Sequence, residues 1–399
     1  MQKRGDYMFK IVKKAINRTI GKTMFKTKRV IAKKIKGLCV NYILPFVYVK
    51  SCVLPVENTA LFVEIRGKEI SSNYRGIIHY LRAKYPDVKI KTYFLEMGEK
   101  GHIEYYKRCK KLVKLMARAK YIFIDDCSNV IAALPIRKKT KLVQTWHGCG
   151  ALKKFGLCYD ATEKYYGRED IFTVSSENVI DYYAKSTGLQ KNKIKAIGVP
   201  RTDLFFQDKY KKRCEVIRRN FYKEHHIDEN KKIILYAPTY RNHIETSVKT
   251  KKFDTKYLKE ALGDEYIVLC KYHPVFSGKR SDFEDDGFMF DITDSIKIEY
   301  AMGICDALVT DYSSLIFEYS LLDKPAYFYA YDLDEYIEKR GLYIDYNDMP
   351  GPICYTLVDL AQNINSRVFD SNKMKAFRRK YMGSCDGNAT KRLLELLRN

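Results

Sequence analysis

Short apolar runs alternate along the chain from Thr59 onward with stretches whose apolar positions recur every three or four residues. "ALFVEI" (60–65) reads as a strand, and "YRGIIHYLRAKY" (74–85) as an amphipathic helix. "VKIKTYFLE" (88–96) follows as a strand, "YYKRCKKLVKLMARA" (105–119) as a basic helix, and "KYIFIDD" (120–126) as a strand. "KLVQTWHG" (141–148) and "IFTVSS" (171–176) add two more strands. "IGVPRTDLFF" (197–206) breaks the rhythm with Gly198, Pro200 and a turn-forming Asp203, which places a domain boundary there. The rhythm resumes with "KKIILYAPTY" (231–240), "EYIVLCKYHP" (265–274), "DALVTDYSS" (306–314) and "PAYFYAYD" (325–332). Alternating strands and helices predict parallel sheets covered on both faces. The expected fold is α/β: two doubly wound Rossmann-like domains, 57–199 and 200–399, facing a cleft. Ligands in such sheets sit beyond the carboxyl ends of the strands.

Ahead of these domains, residues 1–56 have a different pattern. Met8, Ile11, Val12, Ala15, Ile16 and Ile20 fall at helical spacing, with Lys10, Lys13, Lys14, Arg18 and Lys22 between them. Such a basic amphipathic leader is expected to lie on an anionic bilayer; a solvated or nucleic-acid-binding arm is the plainer alternative. The apolar stretch Gly37 to Val49 has 13 residues and a proline, too short for a spanning helix, which needs about 20.

Charge sharpens the question of partners. The formal net charge is +25, and Met1 to Lys36 carries 13 Lys and Arg against one acid, Asp6. That balance implies an anionic partner: nucleic acid, a membrane surface or a phosphorylated substrate. The basic residues form no stripe interleaved with exposed aromatics, and no nucleic-acid-binding module is visible, so specific nucleic-acid binding is not expected. Eleven cysteines without a CxxC pair or metal-type spacing suit reduced thiols, and seven histidines show no ligand array.

Candidate chemistry collects where strands end. "TWHG" offers His147 as general base and Gly148 for close backbone approach; Trp146, the sole tryptophan, is expected to pack beneath the loop. "YAPTYR" ends in Pro238, Thr239, Tyr240 and Arg241, whose planar fork suits a phosphate. "CKYHP" delivers Lys271 and His273. "VTDYSSLIFEYSLLDKP" runs from Thr310 and Asp311 into Ser313 and Ser314 at a helix start, with Glu318 about one turn in, within reach of a ribose or base hydroxyl. Each feature alone has an ordinary structural explanation, a core histidine or a helix N-cap. Four polar strand ends across two sheets are accounted for together by a nucleotide-diphosphate cleft. The D-x-D triplet Asp332–Asp334 reads as a solvated turn. With so many cations at hand no cofactor is required; a divalent cation is not indicated by the sequence, and metal dependence stays open.

Taken in order, "QTWHG…LKKFG", "IGVPRTDLF", "YAPTYR", "KYHP", "VTDYSSLIFEYSLLDKPAYFYAYDLDEY", "RGLYIDY" and "PGP" resemble the CDP-glycerol glycerophosphotransferases of teichoic acid and capsule biosynthesis. The resemblance implies a GT-B-like fold, peripheral association with the cytoplasmic face of the membrane, and transfer of an alditol phosphate from CDP-glycerol or CDP-ribitol to a lipid-linked or polymeric acceptor. It implies catalytic roles for His147 and His273 and diphosphate binding by Ser313 and Ser314. The full donor-binding set expected is Gly148, Thr239, Arg241, Lys271, Thr310, Asp311, Ser313, Ser314, Glu318 and Arg340. Two departures stand out. Cys149, Gly150 and Ala151 follow the histidine-glycine pair where one common version has Thr-Pro, and Tyr240 replaces a frequent tryptophan. A nucleotide-sugar glycosyltransferase of the same fold is the alternative reaction.

Overall fold

The computed structural model describes residues 34–96, 101–160, 167–239, 254–262, 265–272 and 286–398, with the backbone alone at residue 102. Two six-stranded parallel sheets form its frame. The first has the order β2-β1-β3-β4-β5-β6, with β1 Glu57–Glu64, β2 Lys89–Phe94, β3 Ala119–Ile124, β4 Lys141–Gln144, β5 Ile171–Thr173 and β6 Ile194–Lys195. The second has the order β12-β11-β10-β7-β8-β9. Its strands are β7 Lys232–Ala237, β8 Tyr266–Cys270, β9 Met289–Asp291, β10 Ala307–Thr310, β11 Ala326–Tyr329 and β12 Ile353–Cys354. Every pairing is parallel, for example Phe62 with Phe123 and Leu235 with Leu308. The doubly wound α/β fold expected from the alternating pattern is therefore present in both halves. β6, β9 and β12, with only two or three residues each, carry no pattern long enough to read from sequence.

The central strands are apolar on both faces because helices cover both. Leu61, Val63 and Ile122 pack under the helix Gly101–Met116, whereas Ala60, Phe62 and Phe123 pack against the helix Ser72–Lys84. Chain order reverses between β1 and β3 in the first sheet and between β7 and β10 in the second. Those two reversals open crevices at the strand carboxyl ends, where loops leave in opposite directions.

The stretch read as a break, 197–206, becomes a 3₁₀ helix at Pro200–Phe206. Gly198 precedes it at φ +86°, and a Cβ there would collide with the Ser384 carbonyl. Asp203 turns away from solvent and accepts the amides of Ala389 (2.9 Å) and Thr390 (2.8 Å), capping the final helix Ala389–Leu396. That helix buries Leu393 and Leu394 against the first sheet beside Ala60 and Ile77. Elements on the first sheet thus come from both sides of residue 200.

Residues 34–51 are helical, with a π-helical segment at Cys39–Ile43 leading into Leu44–Ser51. Val40, Leu44 and Tyr48 dock on the first domain. No described helix is long and apolar enough to cross a membrane. The amphipathic pattern at 8–22 lies outside the described residues.

Candidate active site

The first lip of the cleft is built at the β1/β3 reversal and the end of β4. After Thr145 the backbone turns left-handed at Trp146, φ +56°. A bulky L-residue there costs about 1–3 kcal/mol and persists only when its surroundings hold it. They do so here: the Trp146 amide donates to Gln144 Oε1 (3.0 Å), and the indole lies against Phe155 and Phe172, both with centroids 5.7 Å away. The turn swings His147 out of the buried line of the strand, leaving its side chain 52% exposed between buried Thr145 and Cys149.

His147 Nδ1 lies 3.0 Å from the backbone carbonyl of Asp125. A carbonyl only accepts, so Nδ1 carries the proton and Nε2 is the basic nitrogen of the neutral ring. The Asp126 carboxylate is 3.9 Å from Nδ1 and is itself held by Arg66 Nε at 2.6 Å and the Cys127 amide at 2.7 Å. Behind it, buried Asp125 accepts from Ser71 Oγ (2.9 Å) and Asn73 Nδ2 (2.8 Å). Glu64, at the end of β1, accepts from the Ser71 amide, and burial together with the nearby Asp125 charge pushes its carboxyl up to about 7. Sequence reading missed this acidic support. Its signal was the pair Asp125–Asp126 closing "KYIFIDD" at a strand end, the same kind of position that marked the other candidates.

The second lip sits at the β7/β10 reversal. Buried Asp311 accepts two amides on one oxygen, from Thr239 (2.8 Å) and Tyr312 (2.7 Å), so it fastens the two strand ends together. Thr310 Oγ1 donates to the Ala237 carbonyl (2.6 Å), a second stitch between the same strands. Tyr346 Oη donates to the Asp311 carbonyl at 2.9 Å, and Tyr312 Oη to Asp332 Oδ1 at 2.8 Å. Asp332 precedes the helix Leu333–Arg340, which places the D-x-D triplet at a helix start. Among the described residues no group of three or more His, Cys, Asp or Glu is placed to hold a metal ion. Ser313 and Ser314 stand half-buried before the helix Leu315–Tyr319, with Ser313 Oγ accepting the Leu315 amide at 3.3 Å.

Across the cleft the lips meet at Gly148, where a Cβ would lie 3.7 Å from Ser314 Oγ. Arg201 ties the same place together. Its Nε donates to Glu318 Oε1 (2.7 Å), its Nη2 pairs with Glu318 Oε2, and its Nη1 donates to the His147 carbonyl (2.7 Å). Nearby, loop 151–155 pairs with 341–343: the Lys154 amide donates to Gly341 (3.1 Å) and the Tyr343 amide to Leu152 (2.9 Å).

His147, Gly148, Ser314 and Glu318 are thus gathered at one junction, with Thr239, Thr310, Asp311 and Ser313 at the strand ends beside it. Lys271 and Arg340 have other engagements. Lys271 Nζ donates to the carbonyls of Thr293 (2.6 Å), Ile292 (3.3 Å) and Ile296, bracing the turn after β9. The Arg340 guanidinium stacks 3.6 Å over the ring of Tyr159, in the first domain's loop. Tyr240, Arg241 and His273 lie outside the described residues.

Among solved structures, the wall teichoic acid polymerase TagF superposes with a TM-score of 0.69 at 22% identity, covering 94% of this chain and 96% of the other. That likeness establishes the two-domain GT-B-like fold. The chain is 32% identical over 368 residues to the teichoic acid ribitol-phosphate primase of Bacillus spizizenii, spanning 87% of this chain and 92% of the relative. It is 34% identical over 302 residues to the teichoic acid glycerol-phosphate primase of Bacillus subtilis, spanning 72% and 76%. With residues 46–399 matching throughout, the chain is a transferase and belongs to the CDP-glycerol:poly(glycerophosphate) glycerophosphotransferase family.

Proposed function

We propose that this enzyme transfers glycerol phosphate or ribitol phosphate from its CDP-alditol to a hydroxyl of a lipid-linked or polymeric acceptor, releasing CMP. His147 Nε2 takes the proton of the acceptor hydroxyl. The acceptor oxygen bonds to the β-phosphorus as the bond from that phosphorus to the CMP oxygen breaks, and CMP leaves with the electron pair. Ser313, Ser314 and the adjoining backbone amides hold the diphosphate, and His273 and Arg241 complete its neutralisation. Thr310 and Asp311 keep the β7 and β10 ends in register, while Lys271 and Arg340 support the lip and the loop beside it. Positioning and electrostatic stabilisation are the usual division of labour in phosphoryl transfer.

The observation that supports this reading is the approach of the His147–Gly148 turn to Ser314, with the half-exposed His147 imidazole next in the chain. The test is incubation with CDP-glycerol or CDP-ribitol and a lipid-linked acceptor, with CMP release and product mass measured. Release of CMP with a mass gain of one alditol phosphate supports the reading. Release of UDP from a UDP-sugar, with no reaction of either CDP-alditol, replaces it with glycosyl transfer.

The reaction is further proposed to take place on an anionic membrane at its cytoplasmic face, where nucleotide-activated donors are made. The helical stretch 34–51 supports this. Opposite its docked stripe, Ile35, Leu38, Tyr42, Phe46 and Val49 recur at helical spacing and are exposed, Tyr42 and Phe46 at 69% each. An open apolar face flanked by Lys34, Lys36 and Lys50 fits the interfacial region of a bilayer. Tyr42→Ser/Phe46→Ser is expected to reduce sedimentation with phosphatidylglycerol vesicles; unchanged sedimentation removes this face from the attachment.

A further inference from the structure

We propose that Arg201 is a positioning residue of the transfer reaction, tying the backbone of the His147 turn to Glu318 on the donor side and so setting the separation of base and diphosphate. The assignment of base and donor side rests on the reaction proposed above; the tie itself is a matter of geometry.

Arg201 starts from a rigid anchor. It follows Pro200, whose ring fixes φ, in the 3₁₀ helix Pro200–Phe206. Thr202 Oγ1 donates back to the Val199 carbonyl (2.8 Å), and Asp203 is locked onto the final helix through two amides. From there the side chain enters the cleft, only 18% exposed, to meet a Glu318 carboxylate that is 6% exposed.

A buried ion pair alone has an ordinary structural explanation, but the third contact does not. Nη1 is given to the carbonyl of His147, a half-exposed residue between a left-handed Trp146 and Gly148. That stretch of loop has the backbone freedom to move the imidazole, and the guanidinium restrains it. The planar fork supplies both functions at once: two parallel donors for the carboxylate and a third, divergent donor for the carbonyl. A lysine ammonium on a flexible stem meets one of these demands well, not both.

Charge gives the pair a second effect. Glu318 lies about one turn beyond Ser314, where an unpaired carboxylate would repel a diphosphate. Arg201 neutralises it. Loss of Arg201 therefore acts on donor binding through bared charge and on turnover through the released loop. Removing Glu318 as well abolishes the first effect and leaves the second.

The test uses Arg201→Met/Glu318→Leu, which preserves apolar volume without a lone buried charge, together with Arg201→Lys. Trp146, the chain's single tryptophan, reports directly on the turn. The double variant is expected to fold, to lose about 10²-fold in kcat as a misplacement near 1 Å does, to change donor KM far less, and to leave Trp146 more open to acrylamide quenching. Arg201→Lys is expected to fall between it and the native enzyme in kcat. Native kcat with native quenching in the double variant overturns the proposal, as does a loss confined to donor KM. If the double variant fails to fold, native kcat and quenching in Arg201→Lys overturn it equally. If the native enzyme itself releases no CMP from either CDP-alditol, the reaction reading fails, and quenching alone decides whether Arg201 holds the turn.

Discussion

Gly148 and Ser314 face each other across the cleft: a Cβ on Gly148 would lie 3.7 Å from Ser314 Oγ and 3.7 Å from Trp146 Nε1. One methyl fits there in ordinary contact. A longer, branched side chain would extend into the open space between His147 and Ser314. Gly148→Ala is therefore expected to keep near-native kinetics. Gly148→Leu should raise donor KM by tenfold or more, on the order of 1.4 kcal/mol of lost binding, with an unchanged melting temperature. Steady-state kinetics and thermal melts on both variants check this; a native KM in Gly148→Leu would show that the donor stays clear of this gap.

Two residues on, the constraint is one of folding. Gly150 has φ +60°, and a Cβ there would run into the Phe317 ring. Its amide donates to Ser175 Oγ (3.0 Å), and its carbonyl accepts from Tyr183 Oη (2.8 Å), so the backbone has no easy retreat. Gly150→Ala is expected to cost about 1–3 kcal/mol through overpacking, with a further contribution from left-handed strain. Urea denaturation measures it directly.

His147 is half-exposed and contributes little to the core, so His147→Ala should fold. Its kcat should fall about 10²–10⁴-fold, the usual contribution of a positioned general base. Donor affinity should survive, visible as a thermal shift on adding CDP-alditol. Ser313→Ala/Ser314→Ala is expected to show the opposite split, with KM raised before kcat falls. A His147→Ala enzyme with native kcat would remove the residue from the mechanism.

Lys271 tests the difference between a phosphate ligand and a brace. Its ammonium already serves the carbonyls of Ile292, Thr293 and Ile296. Lys271→Met should destabilise the fold by about 1.5–3 kcal/mol, the range for hydrogen bonds to a charged group. Chemical denaturation and donor KM measured in parallel distinguish the roles: a large KM change at unchanged stability would mean that the ammonium reaches the donor.

Glu64 makes stability depend on pH. Its folded carboxyl titrates near 7, against an ordinary value of 4.5. Between those values the unfolded chain has released a proton that the folded chain retains. Stability from this group is therefore full below about pH 4.5 and is lost as pH rises through 7, by on the order of 3 kcal/mol. Glu64→Gln keeps an acceptor for the Ser71 amide and removes the titration. Urea midpoints at pH 5 and pH 8 should show the variant gaining on the native protein at the higher pH; an equal difference at both values would contradict the assignment.

Much of this architecture is legible in the sequence because its determinants are local. Period-2 and period-3.6 patterns depend on neighbours a few residues apart, and a parallel sheet's apolar strands advertise themselves. Strand-end residues such as His147, Asp311 and Ser314 are legible for the same reason, since the crevice of a doubly wound sheet always lies at carboxyl ends. What each side chain does there is not local. Glu318 carries the same letters whether it meets a ribose or Arg201, and Arg201 lies 117 positions away. Asp203 has the composition of a turn residue, yet it caps a helix 186 positions on. Lys271 and Arg340 are expected in the donor-binding set, and the fold adds neighbours the sequence does not announce: Lys271 donates to three carbonyls and Arg340 stacks on the Tyr159 ring. Pattern and spacing sufficed for the two sheets, and the resemblance of the quoted motifs for the family. Which of the charged groups at the strand ends face a ligand, and which hold one another, was decided by tertiary structure, because a buried charge takes whichever partner the fold brings within hydrogen-bonding distance.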